Sequence, residues 1–247
     1  MLEVNNITAG YGKMTILENI SLRCKDSEIV LIFGPNGAGK TTLMQTIYGF
    51  ADLLQGDIHY NRVNLAKRSP HDMLSLGIGY IWQRGGFFPS MTVRDNFRMA
   101  LYSLKDYEVS DKVDKILGFF PRLKQKLGQT AITLSGGEKK MLAVACVLAQ
   151  DPDLLLVDEI SEGLQPTLRD EVIEIISKLV REGNKSVVVV EEPTEKVLQI
   201  ADRAYCLRDG SIVAEGPAKD FLHRPDLEKL YFGEASEKTS EVSNPPA

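Results

Sequence analysis

Residues Gly34, Pro35, Asn36, Gly37, Ala38, Gly39, Lys40, Thr41 and Thr42 form an unbroken run, and no other stretch restricts the fold of this chain so tightly. The spacing G-x-x-x-x-G-K-[ST] wraps successive backbone N–H groups around a polyphosphate, sends a lysine to the outer phosphates and offers a hydroxyl to Mg²⁺. Ile29, Val30, Leu31 and Ile32 precede it as an apolar run suited to a strand buried on both faces. Leu43, Met44 and Ile47 follow at helical spacing. A strand entering the loop and a helix leaving it put Gly39, Lys40 and Thr41 at a helix N-terminus, where free N–H groups and the macrodipole favour an anion. The run is a cradle for nucleotide phosphates.

Alternating segments in residues 2–23 (Leu2, Val4; Ile16, Ile20, Leu22), broken by Gly10 and Gly12, predict antiparallel strands. Ile58 and Tyr60, after an expected turn at Gln55-Gly56-Asp57, predict one more strand of that small sheet. From Thr92 to Gln150 the period is helical. One apolar face carries Val93, Phe97, Ala100, Leu101 and Leu104, and another Val109, Val113, Ile116, Leu117 and Phe120. Strand Leu154–Val157, a helix with the stripe Val172, Ile173, Ile176, Leu179 and Val180, and strand Ser186–Val190 then resume the pattern of a parallel sheet. The expected architecture is α/β, with a mainly parallel core sheet, an N-terminal antiparallel sheet and a helical block, about residues 84–150, inserted into a unit spanning 1–233. Residues 234–247, with few apolar side chains and two prolines, are expected to be a disordered tail.

Hydrophobic residues at 43% and charged residues at 26% suit an ordinary globular chain, and a net charge of −5 gives no support to a nucleic-acid-binding surface. No apolar run approaches the roughly 18 residues of a membrane span. Glu3, Asn5 and Asn6 do not fit a secretory signal, so the cytoplasm is the expected compartment. Cys24, Cys146 and Cys206, scattered in apolar segments, are expected to be buried thiols.

Two further constellations bear on chemistry. The apolar run Leu154–Val157 ends in Asp158 and Glu159, whose side chains leave a strand on opposite sides. A nucleotide–Mg²⁺ site needs one carboxylate beside the metal and another group to orient the attacking water. Asp158 is assigned to the metal with Thr41, and Glu159 to the water as general base. Leu134, Ser135, Gly136, Gly137 and Glu138 open an apolar helix. Ser135 and Glu138 have capping-box spacing, which alone explains them structurally. The two intervening glycines, however, are poor at a helix start unless the backbone must approach something closely.

The phosphate loop, Leu-Ser-Gly-Gly-Glu and the Asp-Glu strand end, in that order and with a helical block between the first two, resemble the ATP-binding subunit of an ABC transporter over nearly the whole chain up to about Gly233. The resemblance implies ATP hydrolysis with Mg²⁺ and a head-to-tail pair of subunits, homo- or heterodimeric. In such a pair Ser135, Gly136, Gly137 and Glu138 face ATP held by the partner. It implies that Tyr11 stacks on adenine, that Gln83 touches Mg²⁺ and the attacking water, and that Lys40 assists catalysis. It further implies permease partners in a membrane, with a solute-binding protein beyond them. Phe87, Phe88 and Pro89 lie where such a family receives a membrane subunit, and core packing of the two phenylalanines is an equal reading.

The chain departs from the pattern twice. Residues 160–166 lack the usual proline after the glutamate and have Gln165 where aspartate is common. Glu192 takes the switch position where a histidine usually reaches the γ-phosphate. A carboxylate about 5 Å from a phosphate charge is repelled by roughly 3 kcal/mol at an effective dielectric of 20. Glu192 is therefore expected to be protonated, turned away or bridged by a cation, and to slow hydrolysis.

Residues 4–12, 88–93, 120–123 and the 161–166 loop are similar to importer subunits for branched-chain amino acids, and urea and short-amide importers share most of these motifs. A non-transport ABC ATPase and a small-molecule kinase are the competing classes. The second leaves Leu134–Glu138 without a role.

Overall fold

The computed structural model describes residues 1–83, 85–160, 164–222 and 224–232. Its first strands are β1 (Leu2–Tyr11), β2 (Met14–Cys24) and β3 (Ile29–Phe33), followed by helix α1 (Lys40–Tyr48). Strands β4 (Asp52–Tyr60) and β5 (Val63–Asn64), helix α2 (Pro70–Ser75) and strand β6 (Ile78–Ile81) come next. Four helices succeed them: α3 (Val93–Ala100), α4 (Asp106–Leu117), α5 (Pro121–Lys124) and α6 (Gly136–Ala149). The chain then alternates through β7 (Leu154–Asp158), α7 (Pro166–Gly183), β8 (Ser186–Val190) and α8 (Glu195–Ile200). A hairpin of β9 (Arg203–Arg208) and β10 (Ser211–Pro217) and a last helix, α9 (Leu227–Phe232), complete it.

The expected α/β architecture is present. A six-stranded sheet runs β10-β9-β3-β8-β7-β6, parallel apart from β10, and a second sheet, β2-β1-β4-β5, is antiparallel. Every residue of β3, β7 and β8 is buried, the burial that a strand covered on both faces requires. Side-chain alternation sorts their residues into two cores. Ile29, Leu31, Phe33, Leu155 and Val157 pack with α3 to α8, whereas Val30, Ile32, Leu154 and Leu156 pack with α1 and the antiparallel sheet. Asp158 continues the series of Leu154 and Leu156, so β7 presents it to α1. Among the described residues no helix is long and apolar enough to cross a membrane.

Three local expectations need correction. Gln55-Gly56-Asp57 is a bulge inside β4 and not a turn: Gly56 has φ 82°, and a Cβ there would meet the Asn5 carbonyl oxygen at 2.5 Å. Gly10 lies within β1, and only Gly12 falls in the turn. The apolar faces predicted to run to Leu104 and Phe120 belong to helices that stop at Ala100 and Leu117. Their last members pack from the following loops; Phe120, just before the Pro121 that starts α5, is 1% exposed. The three cysteines are buried free thiols, and burial raises the Cys24 and Cys146 thiols to about 12. The tail expected over 234–247 lies outside the described residues, as do Ser161, Glu162 and Gly163.

Candidate functional site

The phosphate loop is folded by close approaches that exclude larger residues. A Cβ on Gly34 would lie 1.8 Å from the Leu207 carbonyl oxygen, and one on Gly39 (φ 101°) 2.6 Å from Leu17 Cδ2. The loop is thereby pressed between β9 and β2. The turn joining β9 to β10 holds it from outside: Gly210 donates its N–H to the Ala38 carbonyl at 3.1 Å and accepts the N–H of Glu18 at 2.9 Å. Asn36 and Gly37 stay exposed while Pro35 is half-buried, and Thr42 is buried in the first turn of α1. The N–H groups of that first turn have no intrahelical acceptor and suit an anion.

Lys40 is 7% exposed and its ammonium meets three oxygens: the carbonyls of Gly34 at 2.9 Å and Pro35 at 3.1 Å, and Glu159 Oε1 at 3.3 Å. The other Glu159 oxygen accepts Gln83 Nε2 at 2.8 Å. Lys40, Gln83 and Glu159 are thus one cluster at the loop. Glu159 has φ 44°, a left-handed backbone that costs a residue with a side chain about 1–3 kcal/mol, and its N–H is tied to the Val190 carbonyl at 3.0 Å. Strand β7 ends in that reversal, which swings Glu159 off the sheet toward Lys40.

Asp158, 1% exposed, accepts the Thr41 hydroxyl on Oδ1 at 3.1 Å and the Tyr80 hydroxyl on Oδ2 at 3.0 Å. Burial is the main cause that raises its carboxyl above the usual range; the two hydroxyls oppose it. A hydroxyl and a carboxylate side by side at the cradle are hard oxygen donors of the kind Mg²⁺ takes together with phosphates and water. Among the described residues no group of three or more His, Cys, Asp or Glu could hold a metal without such help. Nucleotide and Mg²⁺ therefore fit the residues present. When bound, the metal would supply Lewis-acid polarisation of a phosphoryl oxygen.

Tyr11, 43% exposed, donates to Gln45 Oε1 of α1 at 2.6 Å, which places its ring at the flank of the loop helix. Ser135 caps α6. Its hydroxyl accepts the Glu138 N–H at 3.3 Å, its own N–H goes to Glu138 Oε2 at 3.0 Å, and Lys126 pairs with Glu138 at 2.7 Å. The capping box is real, yet Ser135 and Gly136 are exposed, and a Cβ on Gly136 would meet nothing within 4 Å. Gly137 is packed differently, since a Cβ there would lie 2.2 Å from Leu168 Cδ2 of α7. Glu192 is exposed after β8, and its carbonyl accepts the Thr194 N–H at 2.8 Å. Burial, then the charges of Glu192 and Glu159, raise the Tyr231 phenol. Phe87 packs on the core and Phe88 is 49% exposed.

Sequence reasoning missed Tyr80 and Lys140. Lys140, on α6, donates to the Gln83 carbonyl. Neither residue belongs to a recognisable pattern, and each matters through a partner on a distant segment.

Residues 17–162 match the family model described as ABC transporter. The chain belongs to the ABC transporter family. This ABC chain is 37% identical to the high-affinity branched-chain amino acid transport ATP-binding protein BraG of Pseudomonas aeruginosa, covering 94% of this chain and 100% of the relative. It is 34% identical to the probable branched-chain amino acid transport ATP-binding protein LivF of Archaeoglobus fulgidus, covering 94% and 99%. The lipopolysaccharide export ATP-binding protein LptB of Escherichia coli is 29% identical, covering 94% and 97%. Among solved structures, the ADP conformation of an ATP-binding cassette of an ABC transporter superposes with a TM-score of 0.83 at 26% identity, covering 95% and 99%. The ABC chain is a nucleotide-binding ATPase of this family.

Proposed function

We propose that the chain is the ATP-hydrolysing subunit of an importer for branched-chain amino acids. The observation that carries the reading is kinship over 94% of this chain: 37% and 34% identity to two proteins named for that transport. The LptB relative, at 29%, is named for lipopolysaccharide export, so a cassette of this family alone does not fix the cargo.

In this reading ATP and Mg²⁺ occupy the cradle. Gly34 to Thr42 wrap the phosphates, with Lys40 on the outer ones, and Tyr11 carries the adenine. Thr41, Asp158 and Gln83 attend the metal. Glu159, aimed by Gln83 and Lys40, takes a proton from the attacking water. Ser135, Gly136, Gly137 and Glu138 serve the ATP of a second ABC subunit; the exposure of Ser135 and Gly136 supports that role. Closure of the pair is passed to permease subunits, which hold the chain at the inner face of the membrane and stand between it and a solute-binding protein. The inserted helical block, about residues 84–150, takes part in that contact.

The test is uptake by membranes containing the reconstituted complex. Leucine, isoleucine and valine should compete with one another for ATP-driven uptake while urea and short amides do not. Uptake blocked by urea or a short amide and indifferent to leucine would move the chain to that other importer class.

A further inference from the structure

Tyr80 is 4% exposed on β6, beside Leu156 of β7 in the parallel register. Its hydroxyl takes Oδ2 of Asp158 while Thr41 takes Oδ1, so each carboxylate oxygen is fixed by a different hydroxyl. A buried carboxylate left with one bare oxygen would be costly and free to turn about its side-chain torsion. The ring is itself held. Tyr48, the last residue of α1, meets it edge-on with centroids 5.3 Å apart, and Trp82 lies 4.3 Å away. Phe50 closes the stack 4.9 Å from Trp82. Trp82 immediately precedes Gln83, whose amide aims Glu159.

We propose that Tyr80 is a positioning residue for Mg²⁺: its hydroxyl pins Oδ2 of Asp158 so that Oδ1 faces Thr41 and the metal. The stack of Tyr48, Tyr80 and Trp82 sets that carboxylate and the Gln83–Glu159 pair in one frame. The inference rests on the assignment of Thr41 and Asp158 to the metal.

The full chain is titrated with ATP by calorimetry in EDTA and in Mg²⁺. Tyr80→Phe keeps the ring and its packing, so the protein should fold with a melting temperature near that of the parent and bind ATP in EDTA as before. The gain in ATP affinity on adding Mg²⁺ should fall about tenfold, the size expected for a lost hydrogen bond to a charged group. In an Asp158→Asn background, where no carboxylate remains to be aimed, Tyr80→Phe should cause no further loss. An unchanged Mg²⁺ gain in Tyr80→Phe overturns the proposal. So does a loss that persists in the Asp158→Asn background, or a Tyr80→Phe chain that does not fold, because the hydroxyl would then be supporting the fold. A parent protein whose ATP affinity ignores Mg²⁺ would instead overturn the metal assignment itself.

Discussion

Glu192 is exposed after β8, and the resemblance puts it in the place where the family pattern has histidine. A carboxylate in that place would oppose charge that builds up on a transferring phosphoryl group. Because Glu192 is open to water, screening reduces the repulsion below the roughly 3 kcal/mol that an effective dielectric of 20 gives. Replacing it with a donor should still matter. Glu192→His should raise steady-state ATP turnover about tenfold, which corresponds to about 1.4 kcal/mol of barrier. Phosphate release assays on the purified chain read this directly, and an unchanged rate would mean that Glu192 does not restrain hydrolysis. Glu159 differs in kind. Its left-handed backbone is a strain that glycine would relieve, and the bonds to Lys40 and Gln83 are what the side chain does from that position.

At the scale of elements, helix α6 begins with two glycines of opposite character. Open space surrounds Gly136, whereas Gly137 is pressed against Leu168. Gly136→Ala should leave the melting temperature of the chain unchanged or slightly higher, as alanine favours the helix. Gly137→Ala should melt lower than Gly136→Ala by the equivalent of about 1–3 kcal/mol, because Leu168 must move. In a Glu159→Gln background, where loss of the proposed base should leave ATP held and not cleaved, gel filtration should show an ATP-dependent dimer that Gly136→Ala abolishes. A dimer that survives would mean that α6 does not meet a partner's nucleotide. These elements were mostly legible from sequence: β3, β7 and β8 as apolar runs, α6 and α7 as stripes, and the loop as a spacing. Strands β6 and β9 were not anticipated, β6 being only four residues long and β9 pairing with β3, remote in the chain; β10 was missed too, an edge strand that is only half-buried or exposed and lacks an apolar run. Gly56 reads as a turn because a bulge and a turn ask the same of a glycine. Only the partner strand, with Asn5 opposite, distinguishes them. Of the site, the cradle and the Asp158-Glu159 pair declare themselves by composition and spacing. Tyr80 does not, since its meaning lies in a carboxylate 78 residues further along.

At the scale of the molecule, two cores are built on the two faces of one sheet, and the cradle lies where the antiparallel sheet meets that sheet. Its bottom is Leu207 and its outer brace is Gly210. Phe33, at the mouth of the loop, packs edge-on against Phe221 with centroids 5.3 Å apart. A fragment ending at residue 200 should therefore bind a fluorescent ATP analogue far more weakly than one ending at residue 222, although both contain the whole phosphate-loop motif. Equal binding would show that the motif shapes itself. A chain growing from the ribosome gains its phosphate-binding residues well before Leu207 and Gly210, which back them. Nucleotide then stabilises only those chains in which the β9–β10 hairpin has found its place against residues made long before.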